Sequence, residues 1–148
     1  NICRSPAAEA VFLHLLNDHG LREQFYVDSA GTGAWHIGKK ADSRMRSSAQ
    51  KRGIDIKSIA RQITLDDFTR FDLILTMDDD NFQTVLSLSK EVGVQSNAVI
   101  KPMLSFSKLK TIREVPDPYY GGENGFEKVL DLLEESCNGL LHDVIDME

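Results

Sequence analysis

The chain has 148 residues, 41% hydrophobic and 27% charged, which suits a single globular domain over 1–148 with a sizeable core. No run is long and apolar enough to span a membrane, no signal peptide is visible, and a net charge of −6 argues against nucleic acid, whose partners usually carry a basic stripe. The two cysteines, Cys3 and Cys137, make neither a disulfide scaffold nor a zinc-ligand spacing, and a reducing cytoplasm is the simplest compartment.

In chain order, Ser5-Pro6 predicts a helix start, with the hydroxyl as N-cap and the proline at the first helical position. Ala8, Val11, Phe12, Leu15 and Leu16 keep helical spacing until Gly20 stops it. Phe25 to Ser29 reads as a short strand, and Gly31 to Lys40 as a loop carrying the only tryptophan, Trp35. A polar helix is expected from Ser43 to Arg52, closed by Gly53, and Thr64-x-x-Asp67 has the form of a capping pattern for a short helix. Phe71 to Met77 is an apolar run bounded by charge, as a buried parallel strand would be. A helix over Asp78 to Leu88, a strand over Ala98 to Met103, a loop over Pro116 to Gly122 and a final helix from Glu123 to about Asp146 complete the pattern. Cys137 falls in that last helix and reads as a small apolar core residue.

Alternation of this kind implies an α/β three-layer sandwich, a mostly parallel sheet with helices on both faces. In such folds a strand usually feeds the first helix, and ligands bind at the turn between them. Here the chain opens inside what should be that turn. The segment Asn1-Ile2-Cys3-Arg4-Ser5-Pro6 brings backbone N–H groups, a helix dipole and an arginine fork to one place. It reads as an anion cradle or, more plainly, as a terminal tail with a helix cap.

The segment N-I-C-R-S-P-A-A-E-A resembles the second half of the phosphate loop of low-molecular-weight protein tyrosine phosphatases, whose signature is C-x5-R-S. The resemblance continues through D-S-A-G-T at Asp28 to Thr32, W-H-I-G at Trp35 to Gly38, Met77-Asp78 with Asn81, and V-P-D-P-Y-Y-G-G at Val115 to Gly122. It implies a central four-stranded sheet whose first strand lies outside this chain. It also implies hydrolysis of phosphotyrosine and aryl phosphates through a phosphocysteine intermediate, without metal or cofactor, with phosphotyrosine proteins as partners and a phosphate-like oxyanion in the loop.

On that resemblance Arg4 binds phosphate and stabilises the transition state, and Ser5 hydrogen-bonds the nucleophilic thiolate. Asn1, Ile2 and Cys3 contribute to the same loop. Asn1 would lock the turn, or is simply a terminal residue. Asp117 resembles the general acid that protonates the leaving phenolate. Trp35, Tyr119 and Tyr120 resemble the walls around the substrate ring. Asp78 resembles a carboxylate that orients the arginine, and a plain helix cap would explain it equally well. The nucleophile position falls three residues before Asn1. Cys3 is adjacent to the arginine and cannot take that role; it reads as a redox partner of the nucleophile or as an inert turn residue.

Three accounts of the start stay open: upstream residues real in the cell, a segment left out of the chain, or a genuine truncation. The last would make an inactive phosphate- or phosphotyrosine-binding domain. Two related activities rank behind the tyrosine phosphatase. Arginine phosphatases of this fold tend to have Thr where this chain has Ile2, and a branched apolar residue favours a phenyl ring, though one side chain shifts selectivity by only a few kcal/mol. Arsenate reductases need mid-chain cysteines for thiolate exchange, and none lies between Arg4 and Ser136.

Overall fold

The computed structural model describes residues 3–33, 36–109, 112–118 and 123–146. Helix α1 spans Arg4–Asp18, α2 Ser43–Gln50, α3 Asp67–Arg70, α4 Asp79–Val92 and α5 Glu123–Asp146. Strands β1, Leu73–Thr76, and β2, Val99–Pro102, pair in parallel with Leu73 opposite Val99. A parallel pair needs a crossover, and α4 supplies it while packing on both strands. α1 and α5 pack against each other, and α2 joins them. Val11 and Leu16 of α1, Met45 of α2, and Leu130, Leu133 and Leu141 of α5 are fully buried there. This is the expected α/β class, with helices around a parallel sheet.

The first helix begins two residues earlier than the Ser5 cap predicted, at Arg4 rather than Pro6. Cys3 is its N-cap and makes no side-chain cap bond. Pro6 still sits in the first turn, where backbone N–H groups have no intrahelical acceptor and proline costs nothing. α4 starts at Asp79, one residue later than expected, because Asp78 is its N-cap and accepts from the Asn81 N–H at 2.8 Å. It also runs on to Val92, past the expected Leu88, and ends at Gly93, whose φ of 73° suits glycine. The Thr64–Asp67 pattern works as a capping arrangement, with the Thr64 N–H donating to the Asp67 carboxylate at 2.8 Å.

The expectation of a strand over Phe25 to Ser29 needs correction. Its residues alternate in exposure, with Phe25 and Val27 half-buried and Tyr26 and Asp28 exposed, as a strand's would. No ladder joins it to another described segment, and a strand is defined by its ladder. Between this extended segment and β1 runs an apolar cleft of about 510 Å³, lined among others by Phe12, Val27, Leu73, Leu75 and Leu140. The D-S-A-G-T motif borders it and ties two loops together. The Gly31 N–H donates to the Arg61 carbonyl and the Ile63 N–H to the Gly31 carbonyl, both at 2.8 Å. The Arg61 guanidinium binds Asp28 at 3.0 Å and forks onto the buried Asp67 at 3.0 and 3.1 Å.

Two close approaches anchor the far end of the sheet. The 3₁₀ turn Met103–Phe106 lies directly on α5, where a Cβ on Gly139 would come within 2.0 Å of the Phe106 carbonyl oxygen. The next residues are held by Glu135, which accepts from the Ser107 hydroxyl in a short bond and from the Lys108 N–H at 3.1 Å.

Candidate active site

Arg4 is the first residue of α1 and is nearly buried, with a relative exposure of 6%. A buried guanidinium must be paired, because its desolvation is otherwise too costly. Its Nη1 donates to the Asp78 carboxylate at 2.8 Å and to the Val115 carbonyl at 2.8 Å. The two acceptors come from different segments, the N-cap of α4 and the chain leading to Asp117. The guanidinium is planar, so fixing Nη1 from two sides fixes the plane of the whole fork. Asp78 therefore makes two contacts at once: it caps α4 through one oxygen and pairs with Arg4 through the other.

The sheet sets this meeting place. β1 ends at Thr76, and the next carbonyl, that of Met77, accepts from the Val115 N–H at 2.8 Å. Val115 is thus held by its N–H to the sheet end and by its carbonyl to Arg4. Val115 and Pro118 are fully buried, whereas Asp117 between them is exposed. Pro116 and Pro118 fix φ on either side of it. The acid is raised on a short stiff arch between two core anchors.

Cys3 precedes Arg4 and is buried. Burial foremost, then the negative charges of Asp42 and Asp117, pushes its thiol up to about 12, with Arg44 opposing. At neutral pH it is an uncharged thiol, unsuited to nucleophilic attack. The same influences place Asp117 and Asp42 in one electrostatic neighbourhood with Cys3. Ser5 lies in the first turn of α1 on the cleft side. Asn1, Ile2, Trp35, Tyr119 and Tyr120 lie outside the described residues.

Three residues near this centre were not singled out in the sequence. Asp42 caps α2, accepting from the Arg44 and Met45 N–H groups, and binds the Arg44 side chain at 3.0 Å. Hydrogen bonding from Arg44 holds its carboxyl below the usual range. Arg44 also lies 4.8 Å over the Phe126 ring, which bridges α2 to α5. The Asp-x-Arg spacing ahead of a polar helix was the available signal. The third is Glu114, whose carboxylate accepts from the Asp79 N–H at 2.6 Å, and no local pattern announces it. Among the described residues no group of three or more His, Cys, Asp or Glu could hold a metal ion.

Chemically, the centre offers a positive helix end, an oriented guanidinium and a carboxyl on a rigid arch. These suit a tetrahedral oxyanion that gains charge while a neighbouring oxygen takes a proton, which places the protein among oxyanion-binding α/β hydrolytic folds. The family model for low molecular weight phosphotyrosine protein phosphatase matches residues 1–147. The human low molecular weight phosphotyrosine protein phosphatase is 40% identical over 141 residues, covering 95% of this chain and 88% of the human one. A Synechocystis chain named for the same family is 45% identical over the same coverage. Among solved structures, a protein tyrosine phosphatase from Entamoeba histolytica with Hepes in its active site matches at a TM-score of 0.90 and 43% identity, covering 99% of this chain and 92% of that one. An arginine phosphatase from Drosophila matches at a TM-score of 0.92 and 30% identity, covering 97% and 92%. The chain belongs to the low molecular weight phosphotyrosine protein phosphatase family.

Proposed function

We propose that this protein hydrolyses phosphotyrosine in proteins through a phosphocysteine intermediate. The observation that carries the proposal is the meeting of Arg4, Asp78 and Val115 at 2.8 Å, two residues ahead of an exposed aspartate held by buried neighbours. A cysteine thiolate, expected from the segment preceding Asn1, attacks phosphorus while the P–O bond to the tyrosine oxygen breaks. Asp117 gives its proton to that oxygen, and Arg4 with the α1 amide groups holds the three remaining phosphoryl oxygens. Water then attacks phosphorus, the S–P bond breaks, and Asp117 recovers the proton from the water. Cys3, neutral and buried, takes no part in attack. Trp35, Tyr119 and Tyr120 serve as the aromatic walls for the substrate ring, and Asn1 and Ile2 complete the loop.

The cleft between residues 25–29 and β1 supports a strand upstream of Asn1 as its occupant. Both flanking segments are extended and turn apolar side chains toward it. Such a strand would lead directly into the loop at Arg4 and supply the ladder that Phe25 to Ser29 lacks. No helix among the described residues is long and apolar enough to cross a membrane, and a cytoplasmic enzyme fits that.

The test is Asp117→Asn in the protein carrying its upstream residues. Its kcat/KM for phenyl phosphate should fall about 100-fold, as loss of a general acid does, while inhibition by inorganic phosphate stays near that of the wild type. Unchanged turnover would remove Asp117 from the mechanism. The Drosophila likeness makes a side-by-side assay of phosphotyrosine and phosphoarginine worthwhile; faster turnover of phosphoarginine would replace the tyrosine reading.

A further inference from the structure

Glu114 makes a contact that joins two segments distant in sequence, the chain ahead of Asp117 and the start of α4. It is exposed, yet its carboxylate accepts from the N–H of Asp79, the first residue of α4, at 2.6 Å. That helix end already carries Asp78, Asp79 and Asp80, so the α4 side chains at this end offer a fourth acid no attractive charge. What favours it is the amide and the helix dipole. The residue after Glu114 is Val115, bound to the Met77 carbonyl and to Arg4. Arg4 in turn binds Asp78, the cap of the same helix. The contacts close a ring: Arg4 to Asp78, the start of α4 to Glu114, Glu114 along the chain to Val115, and Val115 back to Arg4. Asp117 hangs from that ring by one proline.

We propose that Glu114 is a positioning residue for proton donation, clipping the 114–118 arch to the start of α4 so that Asp117 stands at a fixed place relative to Arg4. The proposal rests on the reading of Asp117 as general acid. Without the clip the arch keeps its buried anchors, Val115 and Pro118, but gains freedom to pivot about them. Arg4 keeps Asp78, so oxyanion binding survives. Protonation of the leaving oxygen suffers instead, because proton transfer is sensitive to shifts of an ångström or less.

Leaving-group dependence reads this out. Phenyl phosphate, whose leaving group is a strong base, needs the acid, whereas 2,4-dinitrophenyl phosphate hardly does. In the protein with its upstream residues, Glu114→Ala should lower kcat/KM about tenfold for phenyl phosphate and less than about twofold for 2,4-dinitrophenyl phosphate. Glu114→Gln keeps a carbonyl acceptor for the Asp79 amide and should retain most of the phenyl phosphate activity. Inhibition by inorganic phosphate should not change in either variant. On an Asp117→Asn background, Glu114→Ala should cost nothing further, since the two act as a unit.

Equal losses on both substrates, a loss that persists in the Asp117→Asn background, or no loss would each overturn the proposal. The reading beneath it fails differently. If Asp117→Asn leaves phenyl phosphate turnover unchanged, Asp117 is not the acid, and Glu114 has nothing to position.

Discussion

One nitrogen of Arg4 carries both of its described anchors, Asp78 and the Val115 carbonyl. Asp78→Ala would remove a carboxylate from a buried guanidinium and the α4 cap together, and losing one partner of such a pair costs about 3–5 kcal/mol where burial is complete. Asp78 keeps 24% side-chain exposure, so a smaller loss is expected here. Asp78→Asn keeps an acceptor for the Asn81 N–H and isolates the charge. Inhibition by inorganic phosphate should weaken about tenfold in Asp78→Ala, and less in Asp78→Asn, when measured by competition against an aryl phosphate. Identical inhibition in both variants and wild type would show that Arg4 needs no orienting carboxylate. The paired acceptors of Arg4 were only half legible: Met77-Asp78 was readable as a motif, but that the Val115 carbonyl shares the same nitrogen depends on how two distant loops end side by side.

Among the elements, α5 backs α1, the helix that begins at Arg4. It packs on α1, carries Phe126 beneath Arg44, and lets the Met103–Phe106 turn lie on Gly139. A glycine inside a helix normally costs about 1 kcal/mol against alanine, so Gly139→Ala would stabilise an isolated helix. In the folded protein the new Cβ would fall 2.0 Å from the Phe106 carbonyl oxygen, a backbone atom that cannot step aside alone. The clash outweighs the helix gain, and a net destabilisation of about 1–3 kcal/mol is expected from urea unfolding. A midpoint at or above that of the wild type would mean that the turn moves freely off α5. The periodic apolar residues of α5 were plain in the sequence, whereas the reason for its glycine was not, since helix propensity argues against the residue and only a neighbouring backbone argues for it.

For the molecule as a whole, acid stability depends on how the loops are fastened. Asp67 is nearly buried, which alone would raise its pKa, but the Arg61 fork and the Thr64 amide outweigh burial and hold it below the ordinary range. Its folded value therefore lies under the unfolded one, about 3.9. Its contribution is fully present above that pH and is lost as pH falls through the lowered folded value. Asp67→Asn should be less stable than wild type at pH 5, and the gap in urea midpoint should narrow by pH 3. A gap that stays constant would mean that the carboxylate's charge is not what fastens residues 61–67 to the Asp28 loop.

The sequence by itself determined the alternating α/β order, the parallel strand at β1, the presence of the helices and the motifs that mark the family. These are local properties: period, caps, turn residues and short signatures written in adjacent positions. It read a strand at Phe25 to Ser29, which has a strand's alternation but no ladder among the described residues, because alternation records which side chains turn inward and says nothing of which backbone stands beside them. Tertiary structure alone decided that Asp78 both caps α4 and pairs with Arg4, that Cys3 is a buried thiol and that Gly139 makes room for a carbonyl. It also decided that Glu114 meets α4, 35 residues away in sequence. Each of these depends on what stands opposite a residue in space, and burial, charge and contact across loops carry no periodic trace along the chain.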